Sequence, residues 1–185
     1  MGRFYNGDIS GKFWVGIQPS DDISNLVNYM PKDSYNWKSC GCSLELDEEE
    51  NYCVDCFSSL EEHIQSAKDE DNYDDNVLWC EEQQFIYCLN KYEHCQELLD
   101  SMQRLRTDIH PEIITELKKI ERDDDILDAH TGVFNKAIDV LDKVTINMNE
   151  TEYKTLSAYV ARYIIGFQLE YCFEKNEICY IYCEY

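Results

Sequence analysis

The feature that most constrains this chain is a group of four cysteines with the spacing Cys40-x-Cys42-x10-Cys53-x2-Cys56. Zinc binds four thiolates in a tetrahedron at about 2.3 Å, and two short pairs joined by a loop deliver that geometry. Gly41 allows a tight backbone turn between the first two ligands, although their spacing is shorter than the usual one of about two to four residues. We therefore predict a closed, structural zinc site at Cys40, Cys42, Cys53 and Cys56. Two free thiol pairs, or a disulfide, are the alternatives.

Other candidate metal ligands lie outside this group. His63 is an alternative ligand, although a surface position is the ordinary interpretation of such a histidine. The acidic run Asp69–Asp75 lacks the alternating ligands and central glycine of an EF-hand loop. Asp123–Asp125 with Asp128 and His130 could gather at a helix end, but a charged helix start is favoured there.

The remaining six cysteines are predicted to be free and buried. Cys179 and Cys183 lie on one face of a predicted strand about 13 Å apart, beyond the disulfide reach of about 7 Å between Cα atoms. A free cysteine behaves as a small buried hydrophobe. The six are Cys80, Cys88, Cys95, Cys172, Cys179 and Cys183.

The compartment follows from two absences in the sequence. Residues Met1–Ser10 lack the basic start and apolar run of a signal peptide. The most apolar stretch, Tyr159–Phe173, contains Arg162, Gln168 and Glu170, so no membrane crossing is predicted. We expect a reducing compartment, in which a disulfide framework is less expected than metal-bound or free thiols.

The charge of the chain is strongly negative and unevenly distributed. With 38 acidic and 16 basic residues, the net charge is −22, which excludes binding of nucleic acid or lipid through a basic patch. A hydrophobic fraction of 44% excludes a disordered acidic tail. Residues 45–82 hold 15 acids and one base, Lys68. This region is the predicted contact surface for a protein partner, with a basic or nucleic-acid-binding protein as one candidate.

Both ends of the chain are predicted to be strands. Aromatic segments Arg3–Tyr5 and Lys12–Ile17 flank a reversal at Asn6–Gly11. The final segment Ile178–Cys183 is apolar on both faces, which is typical of a central strand. It is a natural neighbour of the N-terminal strand.

Helices and a hairpin are predicted between these ends. The predicted elements are a helix from Ser20–Asp22 to Met30, a helix at Ser58–Ala67, a hairpin of 77–80 with 85–89 around Glu81–Gln84, helices starting at Asn90, Pro111 and Thr151, a weaker helix at Asp123–Asp142 and an edge strand at Val144–Asn147. The prediction is one α+β domain over residues 1–185, with a three- to five-stranded antiparallel sheet covered by helices. Residues 33–75 form a Cys-rich, acidic, zinc-stapled insertion within it.

The two ends carry a resemblance to a known group of proteins. The residues that carry this resemblance are the opening segments 1–14, MGRFYNGDISGKFW, and 16–21, GIQPSD, and the closing segments 161–163, 166–169 and 179–185, the last reading CYIYCEY. Through them the chain resembles uncharacterised proteins encoded by large DNA viruses of algae and protists. Some members are also similar at Cys40–Cys42 and Cys53–Cys56. The resemblance implies a viral origin and no activity.

No catalytic residues are predicted, so we expect a protein that is not an enzyme. The chain lacks a Gly-x-Ser-x-Gly elbow, a His-Glu-x-x-His motif and a phosphate loop. His94 and Cys95 are adjacent, which on a helix points them about 100° apart. We expect a viral accessory or virion-associated protein of the host cytoplasm or virion that acts by protein–protein interaction. An acidic DNA mimic and a thiol-dependent enzyme are the alternatives.

Overall fold

The computed structural model describes residues 3–14, 16–37, 39–44, 51–69, 78–119, 124–127, 139–143, 145 and 148–184. The chain divides into two compact units. The first comprises Met1–Pro31 and Ile86–Tyr185, and the second comprises Lys32–Phe85. The predicted insertion, 33–75, lies within the second unit, which extends ten residues further.

Strands open and close the chain, and its longest helices lie between them. In chain order the elements are β1 (Phe4–Gly7), β2 (Gly11–Lys12), β3 (Lys32–Trp37), β4 (Ser43–Leu44), α1 (Leu60–Asp69), β5 (Trp79–Asn90), α2 (Lys91–Asp108), α3 (Pro111–Leu117), α4 (Glu150–Lys175) and β6 (Ile178–Glu184), with 3-10 turns at Asp22–Asn25 and Asp124–Leu127. Residues 139–143 are also helical. The protein is therefore α+β, as predicted.

The first and last strands of the chain pair with each other in the first unit. Strand order there is β2-β1-β6-β5, and β1 runs antiparallel to β6 with Tyr5 opposite Cys183 and Gly7 opposite Ile181. Strand β6 thus lies between two neighbours, as predicted for a central strand, although only the face of Cys179, Ile181 and Cys183 is buried and Ile178 and Tyr180 are exposed. The predicted pairing of the chain ends is confirmed.

Helix α4 covers the buried face of this sheet and packs against α2. It begins with a capping box in which the Asn149 side chain accepts the Glu152 N–H (3.0 Å) and the Glu152 carboxylate accepts the Asn149 N–H (3.0 Å). The predicted cap, Thr151, is therefore wrong by two positions. Asn90, the predicted cap of α2, does accept the Tyr92 N–H at 2.8 Å.

Three further sequence predictions differ from the structure. Within the predicted 77–89 hairpin, the residues from Trp79 onward form one continuous strand, β5, because Glu81–Gln84 offers no glycine, proline or asparagine for a reversal. The strand predicted at Lys12–Ile17 is limited to Gly11–Lys12. The helix predicted at Ser20–Met30 is only the 3-10 turn at Asp22–Asn25. Most of Asp123–Asp142 and Val144–Asn147 lies outside the described residues.

The first acid of that 3-10 turn forms a buried ion pair. The Asp22 carboxylate is 0% exposed and contacts the Arg162 guanidinium on α4 at 2.6 Å. It also accepts from the side chains of Gln18 (2.7 Å) and Asn25 (3.0 Å). The turn is thereby fixed to α4.

No helix among the described segments combines the length and the hydropathy that a membrane crossing needs.

Replacement of Asp22 by alanine should strongly destabilise the first unit. Removing one member of a buried pair leaves the other charge uncompensated, which costs about 3–5 kcal/mol in free energy of unfolding. Urea denaturation followed by circular dichroism measures the effect. The matched control is Glu150→Gln, which breaks an exposed pair with Lys154 (2.8 Å) and should cause no measurable change. Equal free energies of unfolding for the two variants would contradict the stabilising role assigned to the buried Asp22–Arg162 pair.

Candidate metal centre

A tight hairpin turn places Cys40 and Cys42 in the second unit. The Trp37 N–H donates to the Cys42 carbonyl (2.9 Å), and the Gly41 N–H donates to the Trp37 carbonyl (2.7 Å). Gly41 has a φ of 70°, in the left-handed region that glycine adopts at little cost. The glycine between the two cysteines therefore lets the chain reverse between β3 and β4.

The second pair of cysteines lies on a turn before α1. The Phe57 N–H donates to the Cys53 carbonyl at 3.1 Å, which closes the Cys53–Phe57 turn. Cys53 is buried and Cys56 is exposed. One thiol of this pair therefore faces the interior of the unit and the other faces its surface.

Helix α1 begins directly after this turn, and serine and glutamate side chains cap its start. The Ser59 hydroxyl accepts the Glu62 N–H at 3.3 Å. The Glu62 carboxylate accepts the N–H (2.8 Å) and the hydroxyl (2.7 Å) of Ser58. These hydrogen bonds from Ser58 lower the pKa of Glu62, and they fix the distance between the turn and the helix.

The structure brings the four predicted cysteines together. The Sγ atoms of Cys40, Cys42, Cys53 and Cys56 all lie within 4.8 Å of one another, and the Cys42 and Cys56 Sγ atoms are 3.4 Å apart. A tetrahedral zinc ion with thiolates at 2.3 Å requires sulfur–sulfur separations of about 3.8 Å. The donor set and its spacing thus fit a metal ion such as zinc.

The thiols influence one another's ionisation. Burial, together with hydrogen bonding to the Cys42 and Cys53 thiols, raises the pKa of Cys40 to about 11. Burial also acts to raise the pKa of Cys53, but backbone N–H groups of Cys56 and Asp55 and the Cys40 thiol outweigh it and lower that pKa. Of the four thiols, Cys53 is therefore the one whose surroundings favour the thiolate, because the pKa values of Cys40, Cys42 and Cys56 are raised.

Among the described residues, the apolar core around the cluster is small. Its buried members are Trp37, Cys53, Ala67 and Leu78, and the partly buried residues packed against them are Tyr35, Cys40, Cys42, Phe57, Leu60 and Ile64. Two of the four cluster cysteines thus pack against this core and one belongs to it. The cluster and the core therefore share three of the four thiols, and the exposed Cys56 is the fourth.

His63 lies in this core, whereas the sequence suggested a surface position. It is 0% exposed, stacks on the Phe57 ring (4.3 Å between centroids) and meets the Trp37 ring edge-on (5.0 Å). Its Nδ1 accepts the Cys53 N–H at 3.2 Å, and it does not belong to the thiol group. His63 therefore holds a cluster cysteine by its backbone instead of replacing a ligand.

The other predicted candidates do not join this site. His94 faces the backbone of Asn90, whose N–H it accepts at 3.0 Å, so it forms no dyad with Cys95. Cys172, Cys179 and Cys183 are buried and free, and Cys88 and Cys95 are free and half-buried. Cys80, His130 and most of the two acidic runs lie outside the described side chains.

Sequence reasoning missed a second group of possible ligands. Asp8, Cys172 and Cys179 in the first unit have ligand atoms within 4.8 Å of one another. In the sequence, Cys179 is compared most naturally with Cys183 along one strand, whereas the structure places it beside Cys172 across a turn. The signal was the Cys-x6-Cys spacing across the predicted end of a helix and start of a strand.

No protein-family model, curated protein or solved structure matches the chain. The viral resemblance of the two chain ends therefore stays a prediction.

Replacement of His63 by leucine should weaken zinc affinity, because the Cys53 N–H loses its acceptor while the core keeps its volume. Loss of an outer partner of a metal ligand costs about 10- to 100-fold in affinity. Competition with a chromophoric chelator measures it. His63→Asn, whose side-chain oxygen can take the place of Nδ1, should recover part of the loss.

A matched control is His110→Ala. His110 also accepts a backbone N–H, from Glu112 at 3.3 Å, but it caps the exposed start of α3. This variant should leave zinc affinity unchanged. Equal zinc affinity in the wild type and the leucine variant would contradict the role assigned to His63.

Proposed function

We propose that this chain is a non-enzymatic, viral accessory or virion-associated protein that acts by binding a protein partner. Its second unit is the contact module, and a structural zinc ion on Cys40, Cys42, Cys53 and Cys56 holds that module together. The observation that carries the proposal is the convergence of four thiols in the most acidic part of the chain.

A structural role for the zinc ion is supported by the ligand set. Four thiolates complete a tetrahedron and leave no position for water or substrate, which is the pattern of closed structural sites. The described core around the cluster is small, so its apolar burial offsets little of the entropy lost on ordering the polar loops. The free energy of metal binding is then available as folding free energy.

The charge of the second unit supports its role as a contact surface. Residues 32–85 contain 16 acidic and three basic residues, a net charge of −13. Asp55, Glu61 and Asp69 are exposed. Val54, in the turn between two cluster cysteines, is 52% exposed. The apolar Val54 side chain next to the Asp55 carboxylate suits a partner surface that has an apolar patch surrounded by basic residues.

A DNA mimic is the second candidate, favoured by this concentration of carboxylates. It requires a nucleic-acid-binding protein as the partner, and duplex DNA should then compete for the same surface. A protein-binding module of the general kind should be insensitive to added DNA. Both candidate functions therefore use the acidic surface, but only a DNA mimic should lose its partner when duplex DNA is added.

Zinc should be bound by the four cysteines at one equivalent. Replacement of all four by serine should lower the zinc content of the purified protein by one equivalent, and proteolysis should then cut within residues 32–85. The control Cys88→Ser/Cys95→Ser keeps the cluster and should retain the metal. Mass spectrometry of metal and fragments measures both. Equal zinc content in the two variants would contradict the proposed zinc site at the four cysteines.

Partner binding should depend on the carboxylates of the second unit. The variant Asp55→Asn/Glu61→Gln/Asp69→Asn should weaken capture of the partner about tenfold, because it removes three charges from the contact surface. The control Asp100→Asn/Asp139→Asn/Asp142→Asn removes three exposed charges from the first unit and should bind normally. Quantitative mass spectrometry of tagged full-length chains, captured from cells that produce the protein, compares them. Equal capture by the two variants, or a loss confined to the control, would refute the assignment.

A further inference from the structure

A second group of metal-ligating side chains lies in the first unit, separate in sequence from the four-cysteine cluster. Cys172 is on the last turn of α4, and Cys179 is near the start of β6. Asp8 follows β1. Their sulfur and carboxylate oxygen atoms all lie within 4.8 Å of one another, and both thiols are 0% exposed.

Hydrogen bonds hold Asp8 beside Tyr180, the residue that follows Cys179, and hold the end of α4 at Cys172. The Asp8 N–H donates to the Tyr180 carbonyl (2.9 Å), and the Asp8 carboxylate accepts the Tyr180 N–H (2.7 Å). The Asn176 N–H donates to the Cys172 carbonyl (2.8 Å), and its side-chain amide donates to the Cys172 sulfur at 3.6 Å. The three ligand positions are therefore set by β-pairing and by the helix end, which is the preorganisation that a metal site needs.

We propose that Asp8, Cys172 and Cys179 bind a second divalent, thiophilic cation of the zinc type. Two thiolates and one carboxylate are all zinc ligands, at about 2.3 Å and 2.0–2.2 Å respectively. Binding releases the two thiol protons to solvent, so the complex of Zn²⁺ with three anionic ligands carries one negative charge. The exposed carboxylate gives the cation a route to the buried thiols.

This site differs in kind from the four-thiol cluster. Three protein ligands leave one of the four tetrahedral positions open, for water or for a donor atom of another molecule. The four-thiol cluster has no such position. The proposed site in the first unit could therefore bind an exchangeable ligand, which the four-thiol cluster could not.

A disulfide between Cys172 and Cys179 is the competing interpretation. It would need an oxidant such as glutathione disulfide or peroxide, which takes the two electrons and two protons lost by the thiols. The carboxylate has no role in that bond and, as an anion, opposes formation of the attacking thiolate. A cation instead is stabilised by all three groups at once.

The test is zinc content and affinity of the full chain, purified under reducing conditions and titrated with zinc against a chromophoric chelator. Wild type should hold two equivalents. Asp8→Asn, which keeps the acceptor for the Tyr180 N–H, and Cys172→Ala should each weaken one equivalent by more than about 100-fold, since even an outer-shell loss costs about 10- to 100-fold. The matched controls Asp142→Asn and Cys95→Ala should keep both equivalents.

Separate arms keep the result independent of the first cluster and of folding. The variant with serine at positions 40, 42, 53 and 56 should retain one equivalent, which adding Asp8→Asn should remove. Circular dichroism verifies that each variant is folded. If Cys172→Ala does not fold, the zinc content of Asp8→Asn alone decides the test. A single equivalent in wild type that disappears in the four-serine variant would overturn the proposal. The proposal would also be overturned if the wild-type protein lacked the second equivalent of zinc and its mass, lower by two hydrogens, showed a disulfide between Cys172 and Cys179.

Discussion

The second unit depends on one physical constraint, the crowding of four thiols within 4.8 Å. Such a cluster is tolerable while the thiols are neutral, but the second and later thiolates repel the first unless a cation lies between them. The thiols also form part of the small core around Trp37 and His63. Packing and charge are therefore coupled in this unit, because whatever stabilises the thiolates also stabilises the core that they line.

The first unit is arranged around its last strand instead. β6 pairs with β1 on one side and has β5 as its other neighbour, and its buried face meets α4. The register that sets Tyr5 opposite Cys183 also leads Asp8 to Tyr180, next to Cys179. A single pairing thus closes the chain ends and assembles the second ligand group. The buried Asp22–Arg162 pair fixes the segment after β2 to the same helix.

The two ligand groups were not equally predictable from sequence. Cys40 to Cys56 are local pairs, and local spacing with Gly41 already determines their geometry. Asp8, Cys172 and Cys179 meet only through strand register and a helix end, which sequence periodicity does not encode. The hairpin predicted at 77–89 is a different case, because the lack of turn-forming residues at Glu81–Gln84 already favoured one strand from Trp79 onward. The cap of α4 is also a local feature, because Asn149 and Glu152 form a capping box at the spacing that such boxes require, which the prediction of Thr151 overlooked.

The two proposed metal sites would affect the charge of the protein differently. In the four-thiol site, Zn²⁺ replaces four protons and leaves two additional negative charges on a unit that already carries −13. In the Asp8 site, Zn²⁺ replaces two protons, so the net charge there does not change. A structural metal in the second unit would therefore strengthen the acidic surface that it holds in place. The attraction of a basic partner and the folding of the contact module would then depend on the same ion.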